Sequence, residues 1–202
     1  MDIRFVHAAW RTYPKLPYHN FDHAMKTIEV AHGLADTWDP FVSRVQLDIV
    51  DLALLFHDVI YVPTAPDNEE RSANFAREMH DVDGSRALGE RVASLIMITT
   101  DHSRDPDDLE ACLVSDADMS SLCAPPEEFE AYSRAIDAEY LPHLEAHDID
   151  PSVYWAGRKR FLVGELALAE AGKLFFFPER LDERHTQACE NLERALSGSS
   201  CA

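Results

Sequence analysis

Glycine is scarce in this 202-residue chain: seven occur, and no glycine- or serine-rich stretch divides the sequence. One domain over residues 1–202 is therefore expected, since the length by itself permits at most two. The four cysteines, Cys112, Cys123, Cys189 and Cys201, form no Cys-x-x-Cys pair and follow no regular spacing. With no secretory leader ahead of them they read as free thiols, and a cytoplasmic location is expected. No apolar run approaches the ~20 residues that a membrane span requires. Basic residues are few as well, 18 against 37 acidic ones, for a formal charge of −19. That balance argues against extended contact with a nucleic-acid polymer or an anionic membrane, where phosphates demand Lys and Arg. It leaves room for a small phosphorylated substrate, because a divalent ion and a few arginines can build a local positive site on an acidic surface. Otherwise the charge reads simply as solubility.

Convincing alternating strands are missing too, and helical signals take their place. Residues 1–16 space Ile3, Val6, Trp10 and Tyr13 as one helical stripe, broken by Pro14 and Pro17. Asn20 is a candidate N-cap for a helix with Met25, Ile28, Ala31, Leu34 and Ala35 inward. A central helix is expected over 43–60, apolar on nearly all sides from Leu47 to Phe56, with Asp48 and Asp51 on its exposed margin. Asp67, with Glu70 three residues on, opens another helix after the loop Val62–Pro66. Asp83-Gly84-Ser85 makes a turn, and Leu88, Val92, Leu95, Ile96 and Thr99 follow at helical spacing. Asp105-Pro106-Asp107-Asp108 reads as a helix start leading to Val114. After Cys123-Ala124-Pro125-Pro126 comes a C-terminal helical set, about 127–197, beside a core of about 18–122. Its stripes are Phe129, Tyr132, Ile136 and Tyr140, then Trp155, Leu162, Leu166 and Ala169 behind Asp150-Pro151, then Leu181 to Leu196. Phe175-Phe176-Phe177-Pro178 reads as core and turn. An all-α bundle follows.

Within it, the run from Asp51 to Tyr61 delivers His57 and Asp58 into apolar surroundings. A buried imidazole is satisfied by one hydrogen bond, but an ionised carboxylate needs a cation or several donors. Lys and Arg are absent from Val45 to Glu70. A metal ion is the simplest missing cation, and it requires further ligands from distant positions. Tyr18-His19-Asn20-Phe21-Asp22-His23 upstream and Ser115-Asp116-Ala117-Asp118 downstream offer them.

The order His, His-Asp, Asp, each on or beside a helix, resembles the HD superfamily of metal-dependent phosphohydrolases. It is closer still to a branch of small bacterial HD proteins. The matching motifs are Tyr18-His19-Asn20 with His23, Phe56-His57-Asp58 with Tyr61, Asn68-Glu69 with Ser72-Ala73, and Gly157-Arg158. Together they span roughly residues 15 to 195. The resemblance implies an HD-domain helical bundle with additional C-terminal helices, and His23, His57, Asp58 and Asp118 as metal ligands, with Asp116 supporting Asp118. It also implies catalytic roles for Asp58 and for Glu69, whose place at a positive helix end suits holding a water and taking its proton; dipole complementation is the alternative role for Glu69.

Substrate contacts are expected from His19, Asn68, His102 and Arg158. His19 could instead cap or lie at the surface, and His102, at a helix end where the dipole favours a cation, could be a surface residue. Arg158 could clamp two phosphate oxygens or be a surface arginine beside Lys159 and Arg160. An arginine that the family carries near Asp137 is absent here. Tyr61 and Tyr132 could line a pocket or simply pack. Two imidazoles and two carboxylates suit Mn²⁺, Fe²⁺, Co²⁺, Ni²⁺ or Mg²⁺. The expected activity is hydrolysis of a small phosphate ester or nucleotide by a metal-activated water. Two rivals share the scaffold: a dinuclear iron oxygenase, which would recruit His80 and His102, and a metal-binding or regulatory module without turnover.

Overall fold

Pro14 confines Tyr13 to extended backbone, with ψ 135 at the C-cap, and so ends the first helix, α1 (Ile3–Thr12). The computed structural model describes residues 2–38, 44–103, 105–177 and 181–198. Every regular element among them is helical: α2 (Phe21–Trp38), α3 (Arg44–Phe56), α4 (Asn68–Asp83), α5 (Arg86–Ile98), α6 (Leu109–Asp118), a 3-10 helix (Met119–Cys123), α7 (Pro126–Ala146), α8 (Pro151–Glu170) and α9 (Leu181–Gly198). The all-α expectation holds. No described helix is long and apolar enough to cross a membrane. The turn expected at Pro178 and the thiol of Cys201 lie outside the described residues.

The chain forms two compact units, residues 1–118 and 119–202. In the first, α3 is the hub. Val50 and the run from Leu52 to Phe56 are buried, as the all-round apolar pattern requires, and α1, α2, α4, α5 and α6 all pack against it. Asn20 caps α2 as expected, its Oδ1 accepting from the His23 amide at 3.0 Å while its Nδ2 donates to the carbonyls of Leu16 and Pro17. Helices α4 and α5 form a hairpin through Gly84, which adopts φ 80 and terminates α4. They approach so closely at Gly89 that an added Cβ would stand 2.7 Å from that of His80.

Several local expectations shift. The buried face of α1 is Phe5, Ala9 and Tyr13, whereas Ile3 and Trp10 stand in solvent, because α3 contacts the helix from the other side. Helix α3 ends at Phe56, so His57 and Asp58 sit in a tight turn beyond it. Asp51 is buried rather than marginal, and His32 Nε2 lies 2.7 Å from its Oδ1. Asp67 makes no side-chain cap bond. Helix α6 starts later than the Asp105-Pro106 signal, at the point where Asp108 Oδ1 accepts from the Ala111 amide. Arg91 grips both oxygens of Asp108 and holds it there.

In the second unit, Phe129, Leu162, Ala169, Leu174, Phe175, Ala188 and Leu192 close on the 3-10 turn. Asn191 fastens α9 to that turn through the carbonyls of Leu122 and Ala124. Phe175 and Phe177 are core residues as read, but Trp155 is partly exposed and Tyr154 takes the inward position.

Candidate metal centre

Three backbone segments of the first unit converge on one point. Helix α2 supplies His23, the turn after α3 supplies His57 and Asp58, and the last residue of α6 is Asp118. The ligand atoms of His23, His57 and Asp58 all lie within 4.8 Å of one another. His57 Nε2 stands 3.3 Å from His23 Nε2, 3.0 Å from Asp58 Oδ2 and 3.4 Å from Asp118 Oδ1. His23 Nε2 is 3.8 Å from Asp58 Oδ2 and 3.6 Å from Asp118 Oδ1. Asp118 falls outside the mutual three-residue set but within reach of both imidazoles.

Local structure prepares His57 for this task. Its Nδ1–H donates to the Leu54 carbonyl at 2.7 Å, so in the neutral ring the lone pair is on Nε2, which faces the carboxylates. Two imidazole nitrogens and two carboxylates aimed at a common point repel one another unless a cation lies among them. In the metal-free protein a proton fills that role. Burial pulls the His57 pKa down, but the charges of Asp58 and then Asp118 overcome it and hold the imidazolium well above its usual range. Burial likewise works against ionisation of Asp58 and Asp118, and His57 reverses it, so both carboxyls lie below their usual range, Asp118 far below. The donor set, mixed nitrogen and oxygen, mostly buried and ionised, fits a borderline divalent metal.

Around this group, Tyr18 lies against the His23 ring at 4.6 Å, and His19 stacks on Tyr61 with centroids 3.7 Å apart. The charge of His19 contributes to the depressed pKa of Asp58. His102 donates from Nε2 to Asp118 Oδ2 at 3.0 Å, and its side chain is 19% exposed. Glu69, at the start of α4, is half-buried. Burial raises its pKa, its own backbone amide opposes this, and Asp58 and Asp118 add to the rise. Asp116 is fully buried on α6, two residues ahead of Asp118.

Asn68, expected as a substrate contact, is buried with its side chain bonded to main-chain groups. Its Oδ1 accepts from the Val62 amide at 2.9 Å, and its Nδ2 donates to the carbonyls of Val62 and Ala65. One helical turn on, Ser72 Oγ both accepts from the Ile60 amide and donates to the Ile60 carbonyl. These two side chains brace the backbone that leaves the His57-Asp58 turn. Motif spacing pointed to both residues, but their partners are main-chain groups that carry no sequence signal. The same holds for the Leu54 carbonyl.

His80 stays outside the His/Asp group. Its ring stacks on Phe5 at 4.8 Å and its Nδ1–H donates to the Ala76 carbonyl. Arg158 belongs to the second unit and is no surface arginine: its side chain is 14% exposed and its Nε is 3.6 Å from Asp137 Oδ1. Tyr154 donates its hydroxyl to the same oxygen at 2.5 Å.

Comparison with curated proteins finds no match. The family model described as HD domain, however, matches residues 20–121. That interval runs from the Asn20 cap, through His23, the His57-Asp58 turn and Asp118, to the 3-10 turn, and it spans half of the chain. On that match, with the His/Asp pair at the centre of the site that bears its name, the chain belongs to the HD domain family.

Proposed function

We propose that the protein is a metal-dependent phosphohydrolase acting on a small phosphate ester or nucleotide. The convergence of His23, His57, Asp58 and Asp118 within 3.0–3.8 Å of the imidazole nitrogens carries this reading. A divalent ion held there supplies the Lewis acidity that makes water nucleophilic at neutral pH and offsets phosphoryl charge.

The chain's own residues supply the rest. Neutral His57 presents Nε2 because Leu54 holds its other nitrogen, and His102 steadies Asp118. Glu69, with its pKa raised by burial and by the neighbouring carboxylates, suits a group that accepts a proton from the attacking water and returns it to the leaving oxygen. Asp58, next to His57, serves both as ligand and as the charge that keeps this proton traffic local. Substrate contact is assigned to His19, which stacks on Tyr61. The placement of His80 outside the cluster favours the hydrolase over a dinuclear iron oxygenase.

Metal content of protein purified anaerobically without chelator tests the reading, followed by assay of phosphate esters and nucleotides with the metal found. About one divalent ion per chain and turnover of a phosphate ester are expected. Two irons per chain would favour the oxygenase. A protein that neither retains nor takes up an ion would leave a binding module.

A further inference from the structure

We propose that the solvent-facing side of α8 is the interface of an antiparallel homodimer, a second copy of the chain laying its own α8 across it at Gly164.

Helix α8 is apolar on two sides, and only one of them is covered within the chain. Tyr154, Leu162 and Ala169 turn inward, Tyr154 stacking on Tyr140 of α7 and the other two joining the core that α9 closes. On the opposite side Val153 is 64% exposed, Phe161 43%, Val163 50% and Leu168 42%. At about 3.6 residues per turn these four and the small residues between them share an arc of roughly 160°. Arg160 is the one charge inside it, and a long basic side chain can run along apolar surface and keep its head in water. A helix apolar all round is ordinarily buried all round. About 30 Å long and 10 Å wide, the bare face is on the order of 300 Å², the size at which an exposed apolar patch marks an interaction surface.

Glycine placement fits a closely approaching helix. Gly157 and Gly164 lie inside α8, where glycine is weaker than alanine. Among the described residues nothing stands within 4 Å of a Cβ added at either, so packing inside the chain gives no reason for them. They lie two turns apart on the exposed side, and Ala167 extends the same shallow seam.

Charge selects the occupant and its direction. Lys159 and Glu170 lie on one edge of the seam, Phe161 and Leu168 on the other. In a two-fold antiparallel pair each edge meets its own copy with the order reversed. Crossing at Gly164 therefore sets Lys159 beside Glu170 of the second copy along one edge and Phe161 beside Leu168 of the second copy along the other. A parallel pair would lay the charged edge against the apolar one. An anionic lipid surface is the poorer occupant, because the chain carries a formal charge of −19.

Sedimentation equilibrium of the full-length chain, from low to high micromolar concentration, tests this. Wild type should pass from the mass of one chain to that of two as concentration rises. Gly164→Gln should raise the dimer dissociation constant at least about ten-fold, with helix content by circular dichroism at or above wild type, because glutamine favours a helix and has room in the monomer. Reversing either charge, Lys159→Glu or Glu170→Lys, should weaken the dimer, and the double variant should recover most of the loss. A wild type that stays monomeric throughout would overturn the proposal, as would a dimer indifferent to Gly164→Gln. Single reversals that the double variant does not rescue would overturn the antiparallel register.

Discussion

His102 reaches Asp118 from a backbone conformation that few side chains adopt: its φ is 54, in the left-handed region, and its Nε2 lies 3.0 Å from Asp118 Oδ2. The amide of His102 donates to the Ile98 carbonyl at 2.7 Å, so the segment after α5 curls back and turns the ring toward α6. A non-glycine residue held there costs on the order of 1–3 kcal/mol, and the surrounding structure must over-determine it. Asp118 thereby presents one oxygen to the imidazoles of His23 and His57 and the other to His102.

Replacing His102 separates the strain from the contact. Glycine tolerates the same φ, so metal-free His102→Gly should keep its stability to within about 1 kcal/mol. Metal affinity should fall by about 10–100-fold, because Asp118 loses the donor that orients it. Calorimetry in chelator and isothermal titration with Mn²⁺ read the two effects. An affinity equal to wild type would return His102 to a purely structural role.

Metal-free stability should depend on pH through the same cluster. His57 titrates above its ordinary value of 6.5 in the folded protein, so its contribution is complete below 6.5 and is lost as pH rises through the raised value. Asp58 and Asp118 titrate below 3.8, so theirs is present above 3.8 and is lost as pH falls through the depressed values. A cation competes for the electron pair that the His57 proton holds. The rise in Tm on adding Mn²⁺ should therefore grow from pH 6 to pH 8, while Tm in chelator declines above pH 6.5. His57→Ala should retain its helix content by circular dichroism and lose the metal response. A Mn²⁺-induced shift independent of pH would contradict the linkage.

Glu69→Gln keeps size and hydrogen bonding but cannot take a proton. It should bind metal as wild type does and lose roughly 10²–10⁴-fold in kcat, with the acidic limb of the pH–rate profile removed. An unchanged rate would show that Glu69 merely complements the start of α4.

Asn68 and Ser72 should behave as one brace. Asn68→Ala leaves the amide and carbonyl of Val62 without their partner, at a cost of about 1–3 kcal/mol, and Ser72→Ala does the same at Ile60. Because both hold the segment that leaves Asp58, the double variant should deviate from additivity by at least about 0.5 kcal/mol. Metal affinity should fall in each. Strict additivity in denaturant unfolding, with metal binding intact, would mean that the two residues brace the loop without serving the site.

Helix content was written locally. Asn20, Gly84, Asp150 and Pro151 mark helix ends through backbone chemistry that acts within a few residues, and the apolar period told which stretches would be buried. The chemistry of the site was legible as well, because an aspartate inside an apolar run with no nearby cation is an imbalance visible in one dimension. Whether His102 would meet Asp118, and whether Asn68 would face a substrate or a carbonyl, depended on how α4, α5 and α6 pack, which no single segment encodes. The exposed side of α1 was misread for the same reason: Ile3, Val6 and Trp10 make as good a helical stripe as Phe5, Ala9 and Tyr13, and only the position of α3 chooses between them. Sequence by itself determined the helices and the identity of the candidate metal ligands, since propensity, capping and ligand chemistry are properties of residues and near neighbours. Tertiary structure decided which atoms meet. The tautomer of His57 and the second oxygen of Asp118 are set by contacts between segments far apart in the chain.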